Sequence, residues 1–139
     1  MIRVAVDAMG GDNAPVEMVA GAVEAVKKKP EIQVLLVGQE KTVQEELSKY
    51  TYDKEKIQVV NASEVIATEE PPVNAIRKKK GSSIVVGMNL VKNGQADAFV
   101  SAGSSGAILV GGQVIVDGSR AWSARLLHRL FLQKKAYPF

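Results

Sequence analysis

Four short apolar runs recur along the chain, each followed by a segment with helical spacing. This alternation constrains the fold more than any other feature. The runs are "IRVAVDA" (2–8), "IQVLLVG" (32–38), "KIQVVNA" (56–62) and "ADAFVSAG" (96–103). They are rich in Val and Ile and nearly all apolar, as expected of parallel strands buried on both faces. Parallel neighbours need a crossover, and the segments between the runs supply it: "APVEMVAGAVEAVKKK" (14–29), "EKTVQEELSKY" (40–50), then "VNAIRKKK" (73–80) with "SSIVVGMNLVKNG" (82–94). A last helix begins within "SSGAILVGGQVIV" (104–116). The predicted class is α/β, a mostly parallel sheet with helices on both faces.

Local signals place the helix ends. In 14–29, Pro15 stands near the start, and Val16, Val19, Ala20, Val23 and Val26 fall on one face. Lys27, Lys28 and Lys29 suit the negative end of the helix dipole, and Pro30 stops the helix. Asp12 or Asn13 is the expected N-cap, and Ser82 the expected cap of the helix that follows it.

The length of 139 residues is one domain's worth, large enough for a real core. With no Cys and a single His, the chain has no disulfide framework and no set of ligands for a thiolate or zinc site, so no metal is expected. The start "MIRVAVDAMGGD" lacks a basic leader with a long apolar stretch behind it, and no run approaches membrane-spanning length. A cytoplasmic location is the expectation.

Charge divides the chain in two. Residues 117–139 hold Arg120, Arg125, Arg129, Lys134 and Lys135 against Asp117, a balance of +4 that exceeds the +3 of the whole chain. Residues 1–116 are therefore slightly acidic, which removes the charge argument for a nucleic-acid partner. The same boundary separates an evenly paced apolar, Gly-rich text from a Trp-containing basic one.

Ligands of open α/β sheets bind beyond the carboxyl ends of the strands, and two stretches lie there. "DAMGGDNAP" (7–15) delivers Asp7 from a strand. Gly10 and Gly11 allow a tight turn or a close ligand, and Asp12 stands before a helix. A turn with a capping Asp explains the same residues without a ligand. "SAGSSGAI" (101–108) joins a strand to a helix through Ser101, Gly103, Ser104, Ser105 and Gly106. Backbone N–H groups at such a start form an anion site suited to phosphate, although close helix packing also calls for small residues. It matches neither a Walker loop nor G-x-G-x-x-G. "RKKKGSS" (77–83) places Arg77, Lys78, Lys79 and Lys80 before Ser82 and Ser83. Such a run reads as a solvated face or as a basic rim for an acidic partner.

Taken together, "VAVDAMGGDNAP", "LVG" (36–38), "PPVNAIRKKKGSS" (71–83) and "ADAFVSAGSSGA" (96–107) resemble the PlsX-type phosphate acyltransferases, in order and at that family's spacing over residues 1–116. The resemblance implies a Rossmann-like three-layer α/β/α sandwich similar to isocitrate dehydrogenases and phosphotransacetylases. It implies transfer of a long-chain fatty acyl group from acyl carrier protein to inorganic phosphate, giving acyl phosphate for phospholipid synthesis. A homodimer, peripheral association with the inner face of the cell membrane, and no metal or organic cofactor are implied as well. Carried onto this sequence, Asp7, Asp12, Ser104 and Ser105 are the candidate catalytic residues. Gly10, Gly11, Ser101, Gly103, Gly106, Ser82 and Ser83 are the candidate phosphate and substrate contacts. Arg77 to Lys80 are the candidate carrier-protein contacts. Three positions depart from the family: Ser104-Ser105 replaces a usual Asn-Thr, Asn74 stands where Arg is common, and Gly81 replaces an Asn. A phosphate- or nucleotide-binding module without acyltransferase activity is the competing reading.

The resemblance ends at Val116, and the expected domain division follows: an amino-terminal part of the acyltransferase domain over 1–116 and a non-family tail over 117–139. Permitted codons for the tail, read one base earlier, allow Gly-Arg-Ile-Lys-Gly-Val-Glu-Arg-Pro, which resembles what the family carries after the Gly-rich helix. The tail is therefore expected to be a shifted frame, weakly packed and poorly ordered. The rival reading is a basic amphipathic helix, with Trp122, Leu126 and Leu130 on one face. The 139-residue chain is expected to be truncated, inactive and poorly stable.

Overall fold

In a computed structural model, which describes residues 1–116, the four apolar runs form one parallel sheet of order β3-β2-β1-β4. The strands are β1 (Ile2–Asp7), β2 (Ile32–Gly38), β3 (Ile57–Asn61) and β4 (Ala98–Val100). The helices are α1 (Val16–Lys28), α2 (Glu40–Leu47), α3 (Pro72–Lys78), α4 (Ser83–Lys92) and α5 (Ser105–Ile115). The expected α/β class and Rossmann-like layering are both present. The expectations for residues 117–139 lie outside the described residues.

Alternation along β2 shows how the layers are built. Val34 and Leu36 point into one core with Val19, Val23 and Val26 of α1 and Val43 and Leu47 of α2. Leu35 and Val37 point the other way, into a core with Ala5, against which Leu90 and Val91 of α4 pack. α5 packs on α3 and α4, closing a third cluster around Ile76, Ile84 and Met88. A strand period of two thus feeds two helical layers.

Two details of α1 differ from the sequence reading. Its buried face is Val19, Ala22, Val23 and Val26, while Val16 is exposed. Pro15 occupies the cap position with no side-chain hydrogen bond to the helix, so neither Asp12 nor Asn13 caps it. The Asn13 carbonyl instead accepts from the Glu17 N–H at 3.1 Å. The Ser82 cap is as expected, its Oγ accepting from the Val85 N–H at 3.2 Å.

β1 is central and β4 lies at the edge, among the described residues. Val4, Ala5 and Val6 pair with Ala98, Phe99 and Val100. At the amino end of this pair, the Arg3 N–H donates to Asp97 Oδ2 at 2.8 Å and the guanidinium lies 3.6 Å from Oδ1. That hydrogen bond, and then the guanidinium charge, hold the Asp97 carboxyl below the usual carboxylate range. Beyond the edge strand Val100 is exposed, as are Leu109 and Val114 on the outer side of α5. No helix among the described residues is long and apolar enough to cross a membrane.

Candidate active site at the switch point of the sheet

The order β3-β2-β1-β4 fixes where a ligand can bind. From β1 the chain moves outward to β2 and β3, then returns to the other side of β1 to form β4. The loops leaving β1 and β4 therefore diverge to opposite faces and leave a crevice at their carboxyl ends. Both strand-end stretches singled out in the sequence meet there.

The β1–β4 register makes Asp7 and Ser101 the next pair after Val6 and Val100. Asp7 is only 1% exposed, and its carboxylate is fully engaged. The Met9 N–H donates to Oδ1 at 3.0 Å, and the Ser101 hydroxyl donates to Oδ2 at 2.7 Å. Ser101 Oγ in turn accepts from the Gly103 N–H at 3.0 Å. A buried carboxylate thus fixes a turn on the neighbouring strand through one hydroxyl.

The glycines permit this approach. A Cβ on Gly10 would lie 2.5 Å from Asp7 Oδ2 and 2.9 Å from the Gly103 nitrogen. Gly11 has φ +97°, a backbone state other residues rarely adopt. Their role in this structure is to interlock two loops.

Gly103 carries the turn into α5. Ser104 is the N-cap, buried, its Oγ accepting from the Ala107 N–H at 3.2 Å. Ser105 is exposed. The N–H groups of the first turn of α5, those of Ser105 and Gly106 among them, have no intrahelical acceptor. They open on a cleft of about 510 Å³ lined by Gly103–Gly106 on one side and Thr68, Glu69, Glu70, Pro71 and Pro72 on the other. A Cβ on Gly106 would lie 2.6 Å from Pro72 Cγ, so the two walls nearly touch at that point.

Of the second wall, Pro71 and Pro72 open the stretch "PPVNAIRKKKGSS" quoted above, while Thr68, Glu69 and Glu70 were not singled out in the sequence. Its signal is "TEEPP" between a strand and a helix: two prolines that stiffen a connection at the carboxyl edge of the sheet. An ion pair holds it. Lys79 Nζ lies 2.7 Å from Glu70 Oε1 and donates to Glu70 Oε2 at 3.0 Å and to the Val65 carbonyl at 2.9 Å. The Ala67 N–H donates to Glu70 Oε2 at 2.7 Å. The Lys79 hydrogen bond and then the Ala67 N–H hold the Glu70 carboxyl below the usual range.

The remaining expected residues spread outward. Arg77, Lys78 and Lys80 are exposed at the end of α3, while Lys79 turns back to the loop. Ser82 and Ser83 are buried at the start of α4, where the Ser83 N–H donates to the Glu64 carbonyl at 3.2 Å; neither lines the cleft. Asp12 is exposed on the loop before α1. No group of three or more His, Cys, Asp or Glu among the described residues is arranged to hold a metal ion.

A sequence model described as "Fatty acid synthesis protein" matches residues 2–124. The chain belongs to that family. It is 53% identical over 115 residues to a phosphate acyltransferase of Clostridium beijerinckii, covering 83% of this chain and 34% of the relative. A phosphate acyltransferase of Syntrophomonas wolfei is 57% identical over 106 residues, covering 76% and 33%. One of Alkaliphilus oremlandii is 50% identical over 115 residues, covering 83% and 34%. The chain thus spans about one third of the length of the curated relatives it matches.

Proposed function

We propose that the whole protein containing this segment transfers a fatty acyl group from acyl carrier protein to inorganic phosphate. A phosphate oxygen attacks the thioester carbonyl carbon and a C–O bond forms. The tetrahedral oxyanion collapses, the C–S bond breaks, and the carrier thiolate leaves and takes up a proton. The products are acyl phosphate and free carrier protein. The observation that supports this reading is the α5 start facing the cleft, in a chain at least 50% identical to three phosphate acyltransferases.

In this reading the first-turn N–H groups of α5 and the Ser105 hydroxyl hold the phosphate or the developing oxyanion. Asp7 orients rather than binds: a carboxylate repels phosphate, but through Ser101 it fixes where the Gly103 turn lies. Asp12 flanks the same glycine pair and belongs to the loop rather than to the phosphate contacts. Arg77, Lys78 and Lys80 form a basic rim for the acidic carrier protein. A homodimer in the cytoplasm, associated with the inner membrane surface, completes the proposal.

The test is direct. A chain of the relatives' length carrying this segment is incubated with acyl carrier protein thioester and inorganic phosphate. Acyl phosphate and free carrier thiol are expected in equal amounts. Thiol release that does not depend on phosphate, or no release at all, overturns the reading.

A further inference from the structure

The wall opposite α5 carries charge of the wrong sign for an anion. Glu69 and Glu70 both line the cleft; Glu69 is exposed, where water screens its charge, whereas Glu70 is partly buried, and an uncompensated carboxylate there repels phosphate. Glu70 is compensated on both oxygens: Lys79 reaches each of them, and the Ala67 N–H donates to Oε2. The Glu70 and Lys79 side chains are 30% and 33% exposed, so water screens the pair less than it does a pair on the open surface. Lys79 also donates to the Val65 carbonyl, which commits it to the loop.

We propose that Lys79 is a charge-compensating residue of the anion cleft, cancelling Glu70 in the Thr68–Pro72 wall so that phosphate can enter opposite the start of α5. The inference rests on the proposed function, in which this cleft receives inorganic phosphate. It separates Lys79 from Arg77, Lys78 and Lys80, whose side chains remain at the surface.

Holding the loop and cancelling a charge are two roles with opposite consequences in a double variant. In a chain of the relatives' length, Lys79→Met raises the phosphate KM about tenfold, with the acyl-donor KM changed less than about twofold. Adding Glu70→Gln removes the stranded carboxylate and returns the phosphate KM to within about threefold of wild type. If Lys79 only braces the loop, the double variant is as poor as the single one and both KM values move together; that result overturns the inference. An unchanged phosphate KM in an active Lys79→Met protein does so as well. Should Lys79→Met be insoluble, Glu70→Gln alone serves: it leaves Lys79 in excess and lowers the phosphate KM, and an unchanged or raised value overturns the inference. Calorimetric titration with inorganic phosphate separates this proposal from the one it rests on. Phosphate binding without turnover in wild type defeats the acyl-transfer reading, while the same variant order in Kd upholds charge compensation. No phosphate binding in wild type defeats both.

Discussion

The two walls of the cleft are held by different physics. The Gly103–Gly106 wall is fixed by close backbone approach: a buried carboxylate, one hydroxyl and two glycines that leave no room for a side chain. The Thr68–Pro72 wall is a connection between β3 and α3 tied back by one partly exposed ion pair. Steric fit is insensitive to salt, whereas a screened pair of charges is not. The contrast separates a wall that sets geometry from a wall that responds to charge.

The largest effect is expected from breaking the steric wall. Gly10→Ala places a Cβ against Asp7 and Gly103, so one of the loops must move. We expect about 3 kcal/mol of destabilisation in urea titrations. Turnover should fall by roughly 100-fold through misplacement of the α5 turn. Full stability would show that the interlock gives easily. Ser101→Ala comes next. It removes the donor to Asp7 Oδ2 and the acceptor for the Gly103 N–H, and about 2 kcal/mol should be lost. Cysteine at 101 should restore less than threonine, since sulfur is the weaker partner. A loss below the error of the urea titration would remove Asp7 from control of the turn.

A smaller effect tests where the walls meet. Gly106→Ala pushes on Pro72, and overpacking of about 1 kcal/mol is expected. The phosphate KM should rise more than the acyl-donor KM; a rise confined to the acyl donor would place phosphate elsewhere. The smallest effect is acid sensitivity of the charged wall. Glu70 has a depressed pKa, so its contribution to stability is present above the ordinary glutamate range. That contribution is lost as pH falls through the depressed value. Asp97 at the Arg3 pair has the same sign, so acid weakens both ends of the structure. Thermal melts between about pH 7 and pH 3 should show a shallower acid decline for Glu70→Gln than for wild type. Parallel curves would count against the pair as a brace.

Much of the frame was legible because it follows from local pattern. Ile32–Gly38 reads as a buried strand from its unbroken apolar run, and Ser82 reads as a cap from its place before a helix. The register that makes Asp7 and Ser101 neighbours was not legible: the two residues are 94 positions apart and meet only because the chain doubles back to β1's free side. Lys79 was hidden for a related reason. Among four consecutive cations nothing local marks the one whose partner, Glu70, lies on the preceding loop. Val16 shows the limit of periodicity. It continues the apolar stripe of α1, yet it sits in the first turn and stays in solvent, while Ala22 lies in the core.

The central position of β1 has a consequence for biosynthesis. Of the described strands, β1 leaves the ribosome first and gains β2 as a partner soon afterwards. Its other edge waits for Ala98–Val100, the last strand of the described sheet. At about 5–20 residues per second that edge stays unpaired for several seconds, with Val4 and Val6 in the waiting strand. The carboxyl-edge turn that carries Asp7 is therefore made early and completed late, and chaperones have their opportunity to act on this nascent chain in that interval.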